Sequence, residues 1–323
     1  EAVAKYQSAW QILAVELKDR SDLSFHRAAL LTNWALTLTA RGDYPEAIQK
    51  FIDAWQILGI DLKDRPELQA DRATLLLNWA NPHIGRGHYA EAAKKYEAAW
   101  QIWGIELKDR PELHADRATL LMNWAITLHA QGRYRKADNN YQDAWQIWGI
   151  EFLDDHSPEL RVERAGLLMN WATTLHAQGH YPEAAKKYED AWQIWGIELK
   201  DRPELHANRA MLLMNWANTL HVRGCYADAA RHCRKAWQIL CIDLEHRADL
   251  GACRGQVLMN LALTLHAQGH YNDASEKCSE AWQCFVGDID ASPELQTTRA
   301  TLLMNWAITL YAQGHYPEAT AKY

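Results

Sequence analysis

The chain has 323 residues, of which 48% are hydrophobic and 23% are charged, and its formal net charge is −7. This composition is that of a core-forming globular chain and excludes an intrinsically disordered one. No run of about 18 apolar residues occurs, and the basic residues are dispersed among acidic ones. The sequence therefore predicts neither a membrane span nor a surface that binds nucleic acid.

The dipeptide Asn-Trp recurs along the whole chain and defines its organisation. Its second residue lies at seven positions, with a spacing of 45 residues apart from one interval of 47: Trp34, Trp79, Trp124, Trp171, Trp216, Leu261 and Trp306. A fixed period of this length is typical of proteins built from stacked repeats. We expect one array over residues 1–323, cut within helix B at both ends, with approximate units 1–20 (partial), 21–65, 66–110, 111–157, 158–202, 203–247, 248–292 and 293–323 (partial).

The first half of each unit predicts a helix, here named helix A. In the third unit the apolar residues from Leu121 to Leu128 follow the i, i+3, i+4, i+7 spacing of a helix face. Pro111 marks the start, and two units have a Ser-Pro pair there, at Ser157 and Ser292. We expect a length of about 20 residues. A Gly in every unit marks the end: Gly42, Gly87, Gly132, Gly179, Gly224, Gly269 and Gly314.

The second half of each unit predicts a second helix, helix B, which begins near Tyr134 in the third unit. One face of it carries Ala137, Tyr141, Ala144, Trp145 and Trp148. The small Ala residues allow a close approach of two helices, so each unit is predicted to be a helical hairpin. We expect Trp124, Trp145 and Tyr134 to be largely buried between helices. The two inserted residues fall within residues 149–160, which we expect to form a surface loop.

The run W-A-x-T-L-x-x-x-G-x-Y-x-x-A-x-x-x-Y-x-x-A-W, which extends from Trp124 to Trp145 in the third unit, resembles the tetratricopeptide repeat. The resemblance implies an all-α fold, a right-handed α-solenoid of about seven 45-residue helix-turn-helix repeats. The period exceeds the usual 34 residues, and the long A helix entered through Pro resembles the repeats of kinesin light chain. No heptad coiled coil precedes the repeats here, so cargo binding is not implied.

The second unit departs from the pattern, since it reads NWANPHIGRG where the others resemble NWAITLHAQG. It places Pro82 in the middle of helix A and Gly85 three residues later. Pro removes a backbone hydrogen bond and clashes with the preceding turn, at a cost of about 3 kcal/mol. A local kink is expected there, either as a neutral replacement or as a functional bend.

The residues offer no site for catalysis, because the same groups recur in each unit whereas catalysis needs unlike groups that converge. His176 and His180 are four residues apart, but an intervening Gly ends the helix and spoils the spacing for a metal. Cys233 and Cys278 take the position of Tyr141 in their units and are interpreted as small core residues, with a disulfide between them as the alternative. We predict no enzymatic activity, no cofactor and no metal.

A second face of helix A carries the candidate binding residues, and the resemblance places this face in the concave groove of the array. A side-chain amide offers donors and an acceptor, so a ladder of amides can pair with the backbone of an extended peptide. The alternative is that each Asn binds a neighbouring helix. The Asn present in every unit are Asn33, Asn78, Asn123, Asn170, Asn215, Asn260 and Asn305.

Met and His columns accompany the Asn residues on this face. Chaperone-binding members of the family carry Lys and Arg there, so capture of an acidic C-terminal peptide is not predicted. The Met column is Met122, Met169, Met214, Met259 and Met304. The His column is His129, His176, His221 and His266.

The sequence therefore predicts a non-enzymatic protein-protein interaction scaffold that binds an extended peptide or partner segment. Two alternatives stay open: a structural subunit of a self-assembling fibre, with copies joined head to tail, and a regulatory arm of a larger signalling protein. Residues 1–6 match residues 318–323 at five of six positions, so we expect the chain to be part of a longer array. The location is cytoplasmic by default and extracellular for the fibre.

Overall fold

The computed structural model describes residues 2–17, 19–150, 157–286 and 293–322. Within these ranges it contains fifteen α-helices and no β-strand. The chain divides into two compact units, Glu1–Asp155 and His156–Tyr323. Each unit is a stack of helical hairpins, so the predicted all-α repeat fold is confirmed; the single array over residues 1–323 stays a prediction.

In the first unit the pairs α2/α3, α4/α5 and α6/α7 are hairpins, and the B helices α1, α3 and α5 also pack against the A helix of the next hairpin. The helices are α1 Ala2–Trp10, α2 Ser24–Arg41, α3 Tyr44–Trp55, α4 Gln69–Gly85, α5 Tyr89–Trp100, α6 His114–Ala130 and α7 Tyr134–Ile150.

The second unit repeats the arrangement with the pairs α8/α9, α10/α11, α12/α13 and α14/α15. Its helices are α8 Pro158–Ala177, α9 Tyr181–Trp192, α10 His206–Val222, α11 Tyr226–Gln238, α12 Gly251–Ala267, α13 Tyr271–Val286, α14 Pro293–Ala312 and α15 Tyr316–Lys322.

The predicted helix ends are confirmed at the repeated Gly, because all seven have a positive φ between 71° and 85°. Such a left-handed residue strains any side chain with a Cβ but not Gly. At Gly132 the amide donates to the carbonyl oxygen of His129 at 2.8 Å, and the amide of Arg133 donates to that of Leu128 at 2.9 Å. These bonds satisfy the last carbonyls of helix α6.

The helix starts are of two kinds. Pro111 begins a 3-10 turn, Pro111–Leu113, that leads into α6, so the 20 residues expected for helix A are a 3-10 turn followed by an α-helix. Ser157 caps α8 as predicted, since its Oγ accepts a hydrogen bond from the amide of Leu160 at 3.4 Å. Ser292 and most of the expected surface loop, residues 151–156, lie outside the described residues.

Five B helices, α1, α3, α5, α9 and α11, are followed by a π-helical turn, which the sequence did not predict, whereas α7 and α13 continue as α-helix. In the second repeat of the first unit the turn spans Gln101–Glu106, directly after α5. Gly104 allows this packing, because a Cβ at that position would lie 2.4 Å from the ring of Trp100. Equivalent turns are Gln11–Glu16, Gln56–Asp61, Gln193–Glu198 and Ile239–Asp243.

A buried Arg in helix A holds this turn to the next hairpin. The Nε atom of Arg117 donates to the carbonyl oxygen of Trp103 at 2.7 Å, and its Nη2 atom donates to those of Leu107 and, at 3.2 Å, Arg110. Its side chain is buried, so one guanidinium satisfies three carbonyls that water cannot reach freely. Comparable bonds are made by Arg27, Arg72, Arg209, Arg254 and Arg299.

The core is centred on helix B. Ala137, Tyr141, Ala144 and Trp148 are all buried, as expected. Trp124, Trp145 and Tyr134 are half-buried. The residues at the position of Trp124 in four other repeats are buried: Trp34, Trp79, Trp171 and Leu261. The core also contains the apolar residue near the end of helix B or in the turn that follows it: Leu58, Trp103, Trp148, Trp195, Leu240 and Phe285.

Cys233 and Cys278 are buried core residues in place of the repeated Tyr, as predicted. All six Cys are free thiols. Burial raises the pKa of both thiols to about 12, so they stay protonated and unreactive at neutral pH.

The irregular second repeat, residues 66–110, keeps its A helix. Helix α4 continues through the buried Pro82 to Gly85. A Cβ at Gly85 would lie 2.4 Å from the ring of Tyr44, so this Gly makes room for the first residue of helix α3. Because Pro82 has no N–H, the carbonyl of Asn78 loses its usual intrahelical donor.

Candidate peptide-binding surface

The seven repeated Asn lie on one face of the A helices, here named the Asn face, with three in the first unit and four in the second. Asn33 is exposed and the other six are half-buried. Asn260 accepts a bond from Gln256 Nε2 at 3.0 Å. In the described part of the chain the other six side-chain amides have no hydrogen-bond partner.

A Thr four residues later fixes the backbone behind the Asn. The hydroxyl of Thr219 donates to the carbonyl oxygen of Asn215 at 3.2 Å, and that of Thr264 donates to the carbonyl oxygen of Asn260 at 2.8 Å. In every repeat but the second, where Pro82 follows Asn78, the backbone acceptor of the Asn is thus used inside its own helix, while the side-chain amide is directed elsewhere. The same bond is made by Thr37, Thr127, Thr174 and Thr309.

Small pockets open beside the Asn at corresponding places in two repeats. In the first unit a pocket of about 130 Å³ between α2 and α4 has Asn33 and Leu75 in its wall. In the second unit a pocket of about 220 Å³ between α10 and α12 has the corresponding Asn215 and Val257, together with Cys253. Each pocket is large enough for a small apolar side chain, and each lies within reach of a ladder amide.

The Met column does not line one continuous surface. Met122 and Met259 are buried, with 9% and 7% of their surface exposed. Met169 and Met214 are half-buried, and Met304 is exposed. The prediction that Met122 and Met259 face the groove is therefore wrong: at these two positions the side chain packs into the core. A flexible Met can turn either way from the same backbone position.

The His column joins neighbouring A helices. The Nδ1 atom of His176 lies 2.9 Å from the hydroxyl of Thr219, and those of His221 and His266 lie 3.2 Å from the hydroxyls of Thr264 and Thr309. The rings also contact the first Tyr of their own B helix, at a centroid distance of 5.1–5.3 Å for four pairs: His129–Tyr134, His176–Tyr181, His221–Tyr226 and His266–Tyr271.

Burial lowers the pKa of His129, His176 and His221 below the ordinary value of 6.5. The three rings are therefore neutral at neutral pH. A neutral imidazole that is already bonded through Nδ1 keeps only its Nε2 atom for a ligand. The main contribution of the His column is therefore to the packing between adjacent repeats.

Metal-ligating clusters and membrane-spanning helices are both absent from the described ranges. No three His, Cys, Asp or Glu side chains lie close enough there to hold a metal ion. Each helix in that part of the chain is also too short or too polar to cross a membrane.

Comparison with known proteins gives one match to a family and several to solved folds. Residues 117–158 match the sequence model of the tetratricopeptide repeat. None of the curated protein sequences compared with the chain matches it significantly.

Three solved structures illustrate the likeness in fold. The apo form of RapI has a TM-score of 0.63 at 13% identity, over 91% of this chain and 74% of that one. A tetratricopeptide repeat protein from Parabacteroides merdae has a TM-score of 0.58 at 15% identity, over 92% and 91%. A variant form of the nearly identical repeats of a putative kinesin light chain from Podosopora anserina has a TM-score of 0.53 at 20% identity, over 65% and 92%.

Proposed function

We propose that this chain, a tetratricopeptide repeat protein of the long type seen in kinesin-light-chain-like repeats, is a non-enzymatic scaffold whose Asn face binds an extended peptide. Tetratricopeptide repeats generally bind proteins or peptides. The observation that carries the proposal for this chain is the set of side-chain amides that have no partner on the Asn face.

The amides suit a peptide backbone because each offers both a donor and an acceptor. Asn170 and Asn215 lie on adjacent A helices of the second unit and are half-buried with no bond of their own. Unpaired, partly desolvated amides gain from a new partner, with about 0.5–1.5 kcal/mol for each hydrogen bond formed. A partner that bonds to several of them gains affinity without a requirement for one side-chain sequence.

The pockets supply the selectivity that amides lack. Each unit has one such pocket for an apolar side chain of a bound peptide, that at Asn33 in the first unit and that at Asn215 in the second. The second pocket includes the exposed Met211 and the half-buried Met214 in its wall. These residues favour an apolar peptide side chain over a charged one.

The test uses a peptide selected from a random library displayed on phage, synthesised with a fluorescent label. Its Kd is measured by anisotropy for the natural chain and for the triple variant Asn170→Ala, Asn215→Ala, Asn260→Ala. Loss of three amides should weaken binding by at least about tenfold, equivalent to about 1.4 kcal/mol. The melting temperature should stay unchanged, because these amides make no bond between helices.

A matched control replaces three exposed amides on B helices: Gln142→Ala, Gln238→Ala and Gln283→Ala. This variant should bind the peptide as the natural chain does. Equal binding by the Asn variant and the natural chain would contradict the proposal. A large fall in the melting temperature of the Asn variant would show that the ladder is structural, which also contradicts it.

A further inference from the structure

The Trp of the Asn-Trp motif lies beneath a basic side chain of its own helix B in most repeats. A Lys Nζ atom lies 3.4–4.3 Å from the centre of the indole in four of them, in the pairs Lys50–Trp34, Lys95–Trp79, Lys187–Trp171 and Lys322–Trp306. In a fifth, the ring of His232 lies 4.2 Å from that of Trp216. A cation over an indole face is attracted by the ring quadrupole.

Trp124 is the exception. The helix-B position that holds Lys in five repeats, four of them with Trp beneath it, is Asn140 here, a shorter and uncharged side chain. No cation lies over Trp124 in the described part of the chain. The Nδ2 atom of Asn140 is buried and has no hydrogen-bond acceptor. A buried donor without an acceptor is unfavourable, because it has lost its bond to water and gained none in return.

A pocket of about 450 Å³ opens over this indole, between helices α5 and α7. Trp124 and Leu128 of helix α6 form its apolar floor, with Asn140 in the wall. The volume falls within the range of small-molecule sites, about 300–1,000 Å³. The pocket is lined mainly by helix-B residues, whereas the Asn-face pockets lie between A helices.

The charged groups at the pocket favour an anion. Lys94, Arg133 and Lys136 line it, against the single carboxylate of Glu97. Lys94 is partly neutralised by an ion pair with Glu91 at 2.8 Å. The remaining positive groups attract a negative ligand, and they repel a cation that would otherwise replace the missing Lys.

We infer that this pocket is a second binding site, which takes a small aromatic carboxylate. The ring stacks on the open face of Trp124, and the amide of Asn140 turns towards the pocket so that its Nδ2 atom donates a hydrogen bond to the carboxylate beside Lys136. One ligand thus covers the apolar floor, satisfies the buried donor and meets the positive charge. A free small molecule and the C-terminal aromatic residue of a peptide both have this chemistry.

The experiment is a ligand-observed NMR titration of the full chain with indole-3-acetate and with tryptamine, which carries the same ring on a cation. The variant Asn140→Lys places over Trp124 the side chain that four other repeats have over their Trp. It should keep the circular-dichroism spectrum and weaken indole-3-acetate binding by at least about tenfold. Gln146→Lys adds the same charge to an exposed position of the same helix and should leave binding unchanged. Lys136→Glu, which retains Asn140, should weaken it as well.

Two further probes separate the sources of the carboxylate. The tripeptide Gly-Gly-Trp with a free C-terminus is compared with its amide, which lacks the charge. Tighter binding of the free tripeptide than of indole-3-acetate assigns the site to a peptide terminus, and the reverse order assigns it to a free small molecule. The inference is overturned if neither acid binds, if Asn140→Lys binds as the natural chain does, or if tryptamine binds more tightly than indole-3-acetate. None of these outcomes depends on the Asn face.

Discussion

The Nδ1 atom of His176 lies 2.9 Å from the Oγ1 atom of Thr219, in the A helix of the next repeat. The Thr219 hydroxyl donates its own hydrogen to the carbonyl oxygen of Asn215, so the hydrogen between the two side chains belongs to His176 Nδ1. This bond joins helix α8 to helix α10. Through the Thr219 hydroxyl, the hydrogen-bond chain extends to the backbone of Asn215, a residue of the Asn face.

The first prediction is that the stability of the fold decreases as the pH falls from 7.5 to 5.5. Burial lowers the pKa of His129, His176 and His221 in the folded chain, while the unfolded chain keeps a value near 6.5. Above pH 6.5 both states are neutral and this stability is fully present. Below it the unfolded state binds protons first, so stability is lost as the pH falls towards the folded pKa.

The midpoint of urea unfolding measures this effect at the two pH values. A variant with His176→Gln and His221→Gln should show a smaller difference between them, since two of the titrating groups are gone. A midpoint that rises on acidification would contradict the assignment of neutral rings.

The second prediction concerns the buried guanidinium. Arg117→Met should destabilise the chain by about 2–4 kcal/mol, because it removes the donor to the carbonyl oxygen of Trp103 and the second donor to those of Leu107 and Arg110, which keep only a backbone amide. The control is Arg135→Met, which removes an exposed Arg from helix α7 and should change stability by less than about 0.5 kcal/mol. Equal effects in urea unfolding would show that the buried bonds contribute nothing.

The third prediction compares the stability lost when either of two Trp residues of the same repeat is replaced by Ala. Trp148 is 1% exposed whereas Trp124 is half-buried. Trp148→Ala should cost about 3–5 kcal/mol, as other large-to-small core changes do, and Trp124→Ala should cost less. Shifts in the urea midpoint at a constant slope give both values. The reverse order would mean that Trp124, and not Trp148 near the end of helix α7, contributes more to the core of this repeat.

The fourth prediction places the fastest hydrogen exchange between Cys225 and Cys284. Tyr188 fills its core position, and its hydroxyl shares a hydrogen bond with that of Thr173 at 2.9 Å. Cys233 and Cys278, at the equivalent position of their repeats, are too small to fill that space or to make that bond. Replacing both Cys by Tyr should slow exchange in their own repeats and leave the first unit unaffected. Uniform exchange over the helices of the natural chain would rule out a weaker region.

The sequence predicted the hairpins, their Gly ends and the buried face of helix B, because each depends on local patterns that seven copies repeat. The turn after helix B was missed, since its stability depends on Arg117, which lies 14 residues beyond the carbonyl of Trp103. The signal was present: one Arg recurs in every repeat, followed by Ala in six of the seven and by Gly after Arg254. The burial of Met122 could not be read from periodicity, because one helix face meets both the groove and the adjacent helix.

The most direct measurement of the central proposal is an NMR titration of the side-chain amide signals with the selected peptide. The signals of Asn170 and Asn215 are assigned from the spectra of their single Ala variants. Peptide binding should shift both, with saturation at the Kd found by anisotropy, and leave the amide of Gln238 on helix α11 unchanged. Shifts confined to side chains of the B helices, with Asn170 and Asn215 unmoved at saturation, would contradict peptide binding on the Asn face.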